Sequence, residues 1–555
     1  MVRRFSAWLA RAALAAALGA LPACASAEPA AAPAPSAPPR LVVAIAVDQF
    51  SADLFAQYRQ RFTGGLARLT QGAVFPSAFQ SHAATETCPG HSTILTGDHP
   101  ARTGIVANSW FDLGVARADK RIYCAEDETD PASTARDPVV SAGHLRVPTL
   151  GEWLKRADPR SRNVAVSAKD RAVMMMGGHQ IDEAWWFLGG RFVTLRGRAE
   201  PRAVASANAA LAKVIAAGAP ALPVPAWCAP RDRAVTAGRV TVGQGRFALP
   251  AGNADALRVS PRMDAATLDL ATRLVADMGL GRGPAPDLLS VSLSATDYIG
   301  HAMGNEGLEM CIQMARLDAA LGSFFARLDA AGIDYAVVLT ADHGGFDMPE
   351  RLDQQALPAA ARVDPAAMPG ALGKALGAEL GLAARGGPLV YGDGAGGDFY
   401  LSREIPAERR DAALAALAAL AARQPQVAAV FTAAQLSAMP MPHGEPQDWT
   451  LAERARAGFD PRRSGDVVVL LRRGVVPIPM AVPGYVATHG SPWDYDRRVP
   501  LLFWRKGLAG FEQPAPVETV DIAPSLAALL GLKLPAGTFD GRCLDLDGGA
   551  GDTCR

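Results

Sequence analysis

Thr87 is the residue around which the polar side chains of this chain make chemical sense. It opens Thr87-Cys88-Pro89-Gly90-His91, a turn that runs into an apolar helical stretch, His91 to Leu95. Pro89 suits the first turn of a helix, where its missing N–H costs nothing. That places Thr87 at a helix N-terminus, where free backbone N–H groups favour an anion. A hydroxyl there can attack a phosphoryl group, provided a base or a metal ionises it. Six side chains of metal-ligating type stand elsewhere at the ends of strand-like runs or in loops: Asp48, Asp297, His301, Asp342, His343 and His489. Asp297 and His301 are four apart and share one face of a helical turn, which suits two ligands of one metal or a local Asp–His hydrogen bond. Asp342 and His343 precede Gly344-Gly345, which permits the turn that brings both to one point. Taken singly, Asp48 reads as a helix cap. Together the six supply enough nitrogen and oxygen donors for two zinc ions with open positions. Two such ions, roughly 3.5–4 Å apart, hold both the attacking and the leaving oxygen of an in-line phosphoryl displacement. Lys169 and Arg171 can grip a phosphate, the arginine through a bidentate fork; alone they read as a solvated turn.

The elements that must carry these residues alternate. Leu41 to Val47, Asn163 to Ala168, Asp287 to Leu293, Asp334 to Thr340 and Val499 to Trp504 are apolar runs of the buried-strand kind. Met263 to Met278, Glu306 to Ala330, Pro406 to Gln424 and Glu518 to Leu530 read as helices. The alternation predicts an α/β fold with a largely parallel sheet sandwiched by helices. Such sheets bind ligands at the carboxyl ends of their strands, where Asp48 falls. Residues 172–260, with aromatic clusters and short strand-like runs, read as an inserted cap region.

At 555 residues the chain exceeds a single simple core, and 49% apolar content excludes a disordered chain. Lys plus Arg equals Asp plus Glu at 55 each, so no nucleic-acid footprint is present. Arg3 and Arg4, the Ala/Leu-rich run Phe5 to Leu21, and Ala25-Ser26-Ala27 form an export signal. Residues 1–27 are expected to be removed, and 28–40 form an Ala/Pro-rich tether. Leu21-Pro22-Ala23-Cys24 also offers a lipoprotein reading, with an anchor at Cys24. Loss of residues 1–27 removes three arginines and no acid, leaving 52 basic against 55 acidic side chains, a charge of −3. No later run is long and apolar enough to span a membrane. The catalytic domain is expected over 41–545, with a tail at 546–555. Six cysteines follow Cys24, an even number that permits disulfides in an exported protein; Cys543 and Cys554 are close enough in sequence to tie the C-terminus.

The ordered segments Asp48, Thr87-Cys88-Pro89-Gly90-His91, Asp297-Tyr298-Ile299-Gly300-His301, Ala341-Asp342-His343-Gly344 and Thr488-His489-Gly490 resemble the alkaline phosphatase superfamily, in its nucleotide pyrophosphatase/phosphodiesterase branch. The resemblance implies one zinc held by Asp297, His301 and His489 and another by Asp48, Asp342 and His343. It implies that Thr87 is bound to the second as nucleophile and forms a phospho-threonine, which water activated at the first zinc hydrolyses. Asn108 would donate to a phosphate oxygen. The pair Lys169 and Arg171 resembles the phosphate-irrepressible, sphingomonad-type alkaline phosphatases, which implies phosphate monoesters as substrates and weaker diesterase activity. Cys88-Pro89-Gly90-His91 does not match the Cys-x-Pro-x-Arg of sulfatases. Two other readings are a phosphodiesterase or nucleotide pyrophosphatase with the same metals, and a non-catalytic zinc-binding envelope protein.

Overall fold

The computed structural model describes residues 37–555; the expected signal peptide, the Cys24 anchor and most of the tether lie outside them. A nine-stranded sheet organises the fold. Its strands are β1 (Leu41–Val47), β2 (Ala73–Phe79), β3 (Asn163–Ser167), β4 (Glu183–Leu188), β5 (Arg191–Val193), β6 (Asp287–Leu293), β7 (Tyr335–Thr340), β8 (Arg498–Arg505) and β9 (Phe511–Glu512). Their spatial order is β9-β2-β8-β7-β1-β6-β3-β4-β5. The run β7-β1-β6-β3-β4 is parallel, whereas β8 lies antiparallel to both β7 and β2. Every residue of β1, β6 and β7 is buried, which requires cover on both faces and explains their near-continuous apolar sequences. The fold is therefore the expected mixed α/β class.

Three helices concern the site: α1 (Thr87–Thr96), α2 (Asp170–Gly177) and α3 (Ala295–Met303). Along β6 alternate side chains point to opposite faces. Ser292 meets α1 through His91, whose Nε2 lies 2.9 Å from Ser292 Oγ. Within the stretch read as an insertion, β4 and β5 are the last two strands of the central sheet. A separate antiparallel sheet is built from Val390–Tyr391, Gly397–Leu401, Val427–Thr432 and Val467–Leu471, with its own apolar core around Phe399, Leu417 and Val469. Disulfides join Cys88 to Cys124, Cys228 to Cys311 and, as the spacing allowed, Cys543 to Cys554. No helix among the described residues is long and apolar enough to cross a membrane.

Candidate metal and phosphate site

The four adjacent parallel strands β7, β1, β6 and β3 end along one edge, because their registers are flush. Ala46 lies opposite Thr340, Val47 opposite Leu293, and Ser292 opposite Ser167. Within a few residues of those ends the chain presents Asp342 and His343, Asp48, Asp297 and His301, and Lys169 and Arg171. The antiparallel β8 starts at the same edge, so the loop before it delivers His489. Its Nδ1 is 2.8 Å from the Thr85 carbonyl, just ahead of α1. Eight of the ten residues singled out in the sequence therefore meet at this edge.

The side chains are held with their ligating atoms free. His301, His343 and His489 each place Nδ1 against a backbone carbonyl: Ala487 O at 2.9 Å, Gly344 O at 2.8 Å and Thr85 O at 2.8 Å. A carbonyl only accepts, so Nδ1 carries the proton and the Nε2 lone pair faces the cluster, as metal-binding imidazoles require. Asp342 Oδ1 accepts the N–H groups of Gln49 at 3.1 Å and His343 at 3.0 Å, leaving Oδ2 turned inward. Asp48 Oδ1, Asp297 Oδ1 and His343 Nε2 are buried without a hydrogen-bond partner. Buried carboxylate oxygens left bare are costly. Here they converge: ligand atoms of Asp48, Asp342 and His343 lie within 4.8 Å of one another, as do those of Asp297, His343 and His489. His301 Nε2 joins the second group at 3.2 Å from Asp297 Oδ1, and His489 Nε2 stands 3.3 Å from the same oxygen. His343 thus borders both groups, a sharing not expected from the sequence.

The electrostatics call for cations. Burial, then the neighbouring Asp297 and Asp342 charges, pushes the Asp48 carboxyl well above the usual range. Burial would also raise Asp297, but Lys169 and His301 outweigh it and hold that carboxyl well below. Burial pushes His343 down to about 3, which keeps its imidazole neutral and able to ligate. Lys169 Nζ stands 2.6 Å from Asp48 Oδ2 and 2.5 Å from Asp297 Oδ2. The carboxylates of Asp48, Asp297 and Asp342 are all buried, and Lys169 supplies the ammonium that bridges two of them. The donor set and its excess negative charge fit divalent metal ions.

Thr87 begins α1 at this edge and is 1% exposed. Lys169 Nζ and Arg171 Nη2 each lie 3.4 Å from its Oγ1. Asn108 Oδ1 accepts the Cys88 N–H at 2.8 Å, which fixes the amide and leaves its Nδ2 hydrogens to donate. The close seat of α1 depends on Gly90, where a Cβ would fall 1.9 Å from the Asp342 carbonyl oxygen. Sequence reasoning passed over Gln49 and His91. Gln49 adopts φ of 66°, rare for a residue with a side chain, immediately after Asp48. His91 Nδ1 meets the Thr87 carbonyl at 2.9 Å and stands 3.0 Å from Asp342 Oδ2. The one signal for it was its spacing of four residues from Thr87 on a helix.

A hydroxyl at a helix N-terminus, beside inward-facing carboxylates and imidazoles and a Lys/Arg pair, is an arrangement that can hold metal ions and an anion at the edge of an α/β sheet. The profile of the type I phosphodiesterase / nucleotide pyrophosphatase family matches residues 42–492, and the chain belongs to that family, within the alkaline phosphatase superfamily. It is 52% identical over 520 residues to alkaline phosphatase PhoK of Sphingomonas sp, with 93% of each chain covered. It is 49% identical over 522 residues to alkaline phosphatase PhoD of Zymomonas mobilis, covering 93% of this chain and 89% of the relative. The crystal structure of wild-type alkaline phosphatase PafA is similar with a TM-score of 0.77 at 26% identity, over 91% of this chain and 98% of that one.

Proposed function

We propose that this chain is an exported, two-zinc alkaline phosphatase that hydrolyses phosphate monoesters through a covalent phospho-threonine at Thr87, with weaker activity on diesters. Alkaline phosphatases related over nearly the full length at 49–52% identity place it among phosphatase enzymes. The single observation that carries the finer reading is the position of Lys169 Nζ and Arg171 Nη2, each 3.4 Å from the Thr87 hydroxyl oxygen.

Asp297, His301 and His489 would hold one zinc and Asp48, Asp342 and His343 the other, with His343 at their border. When bound, these ions supply Lewis-acid polarisation of phosphoryl oxygens and lower the pKa of a hydroxyl or water. Thr87 Oγ attacks phosphorus in line and gives its proton to solvent, while the P–O bond to the leaving group breaks and the departing alkoxide takes a proton from water. Asn108 Nδ2 donates to one non-bridging oxygen, and Lys169 and Arg171 pair with the others. Water then attacks phosphorus on the far side of Thr87 Oγ, inorganic phosphate leaves, and the hydroxyl regains a proton. The N-terminus of α1 favours the anionic group throughout.

A monoester dianion carries more charge on its non-bridging oxygens than a diester, so two cations beside Thr87 favour the monoester. The zinc-loaded mature protein is expected to prefer an aryl phosphate monoester to the corresponding diester. Lys169→Ala combined with Arg171→Ala is expected to lower kcat/KM on the monoester by about 10³-fold and on the diester by about tenfold or less. Equal losses on both would show that the pair does not select the substrate. A parent protein preferring the diester would assign it to nucleotide pyrophosphatase or phosphodiesterase chemistry instead.

Export is motivated by the N-terminal signal and supported by the three disulfides, which persist in oxidising compartments. N-terminal sequencing of the protein from a bacterial periplasm or medium is expected to begin at Glu28. An unprocessed Met1 on soluble cytoplasmic protein would overturn this; a lipid-modified Cys24 would indicate an anchored form.

A further inference from the structure

We propose that Tyr123 and Cys124, at the end of the short strand Arg121–Tyr123, brace the groups that grip phosphate. This rests on reading Thr87, Asn108 and Arg171 as phosphate-contacting residues. Neither Tyr123 nor Cys124 reaches the metal cluster, so their role is positioning.

The brace has two arms. In the first, Asn108 is held from both sides by the halves of one disulfide. The Cys124 N–H donates to the Asn108 backbone carbonyl at 3.0 Å. The Cys88 N–H donates to the Asn108 side-chain Oδ1 at 2.8 Å. Cys88 and Cys124 are bonded to each other, their Cα atoms 6.5 Å apart, and both are fully buried. Cys88 adjoins Thr87, so this bond links the nucleophile, the amide donor and the strand in one short circuit. Ser109, directly after Asn108, pairs with Tyr123 across an antiparallel ladder and closes it.

In the second arm, the Tyr123 hydroxyl donates to Asp170 Oδ1 at 2.6 Å. The same oxygen accepts the Arg171 N–H at 2.7 Å. Asp170 is the first residue of α2, so Tyr123 fixes the turn from which Arg171 projects. A single strand end therefore sets Asn108 and Arg171 relative to Thr87. Outer-shell groups that orient others commonly matter tenfold to a hundredfold, and a misplacement of about 1 Å can cost about a hundredfold in rate.

The test is a double-mutant cycle on the zinc-loaded protein, with kcat/KM for an aryl monoester and inhibition by inorganic phosphate as readouts. Cys124→Ser is expected to lower kcat/KM by about 30-fold and weaken phosphate inhibition, with metal content unchanged. In an Asn108→Ala background the same change is expected to cost only about twofold, since the donor it positions is gone. Tyr123→Phe, which removes one hydroxyl and keeps the ring, serves where loss of the disulfide impairs folding. It is expected to cost about tenfold, shrinking to about twofold in an Arg171→Ala background. A full, additive loss in both backgrounds, or no loss from either variant in the parent, overturns the brace. An Asn108→Ala protein as active as the parent overturns the phosphate-contact reading, and the Asn108 arm with it.

Discussion

Thr87→Ala is expected to reduce turnover of an aryl phosphate monoester by about 10⁴-fold or more while leaving bound metal unchanged. The hydroxyl is buried at the start of α1, with Lys169 and Arg171 3.4 Å from Oγ1, so no exposed group replaces it. On the proposed mechanism its removal would delete the covalent step but none of the six side chains proposed to hold metal. Activity must then fall to what water, unassisted by a nucleophilic side chain, achieves in the same electrostatic setting. Steady-state kinetics beside elemental metal analysis checks this. Thr87→Ser, which keeps an oxygen, is expected to stay within about a hundredfold of the parent and to become labelled when trapped with substrate at low pH. A Thr87→Ala protein within tenfold of the parent would mean that water attacks the substrate directly, and the phospho-threonine assignment would fail.

Removal of metal is expected to have a second large effect, on both rate and stability. Asp48, Asp297 and Asp342 are each at most 1% exposed, and Asp48 Oδ1 and Asp297 Oδ1 lack hydrogen-bond partners. Lys169 bridges two of these carboxylates but does not neutralise all three. Exhaustive chelation is therefore expected to lower monoesterase activity by about 10³-fold or more. An ion present at about a thousandfold above its Kd contributes about 4 kcal/mol to the folded state. Its loss should lower Tm by about 4 °C in a chain of this size. Zinc should restore both. Thermal scans and activity assays after dialysis against chelator, then titration with zinc, manganese and cobalt, check the claim and rank the metals. Full activity at a residual metal content far below one ion per chain would sink it.

The two effects have separate origins, which makes them informative together. Loss of Thr87 leaves the buried charge balanced and the fold intact. Loss of metal would leave Thr87, the proposed nucleophile, in place within an unbalanced cluster. A protein in which both changes had the same signature would point to a collapse of the edge where β7, β1, β6 and β3 end rather than to chemistry.

Much of the site was legible in the chain itself. Asp48 and Asp342 follow buried strands, and Asp297 and His301 carry helical spacing after another; each signal was weak alone, and it was the set of six, with the ordered segments they stand in, that nominated them. Thr87 was marked by Pro89 and the helical run behind it, both local signals. The pairing of Cys543 with Cys554 was suggested by proximity in sequence. These features depend on interactions within a few residues, and a sequence displays such interactions directly.

Other features depended on strand order and register, which no local pattern encodes. Lys169 and Arg171, taken alone, read as a solvated turn, and only the resemblance nominated them; with β3 seated beside β6, Lys169 lies between Asp48 and Asp297 and beside Thr87. His489 reaches the cluster because β8 runs antiparallel and starts where its neighbours end. His343 borders both ligand groups because β7 and β1 end flush. Cys124 meets Cys88, and His91 meets Asp342, through packing between segments far apart in the chain. Side-chain chemistry and short-range propensity were thus set by the sequence alone. Which charges share one buried volume was decided by tertiary structure, since that depends on how separate strands align and on the cost of leaving buried charge uncompensated.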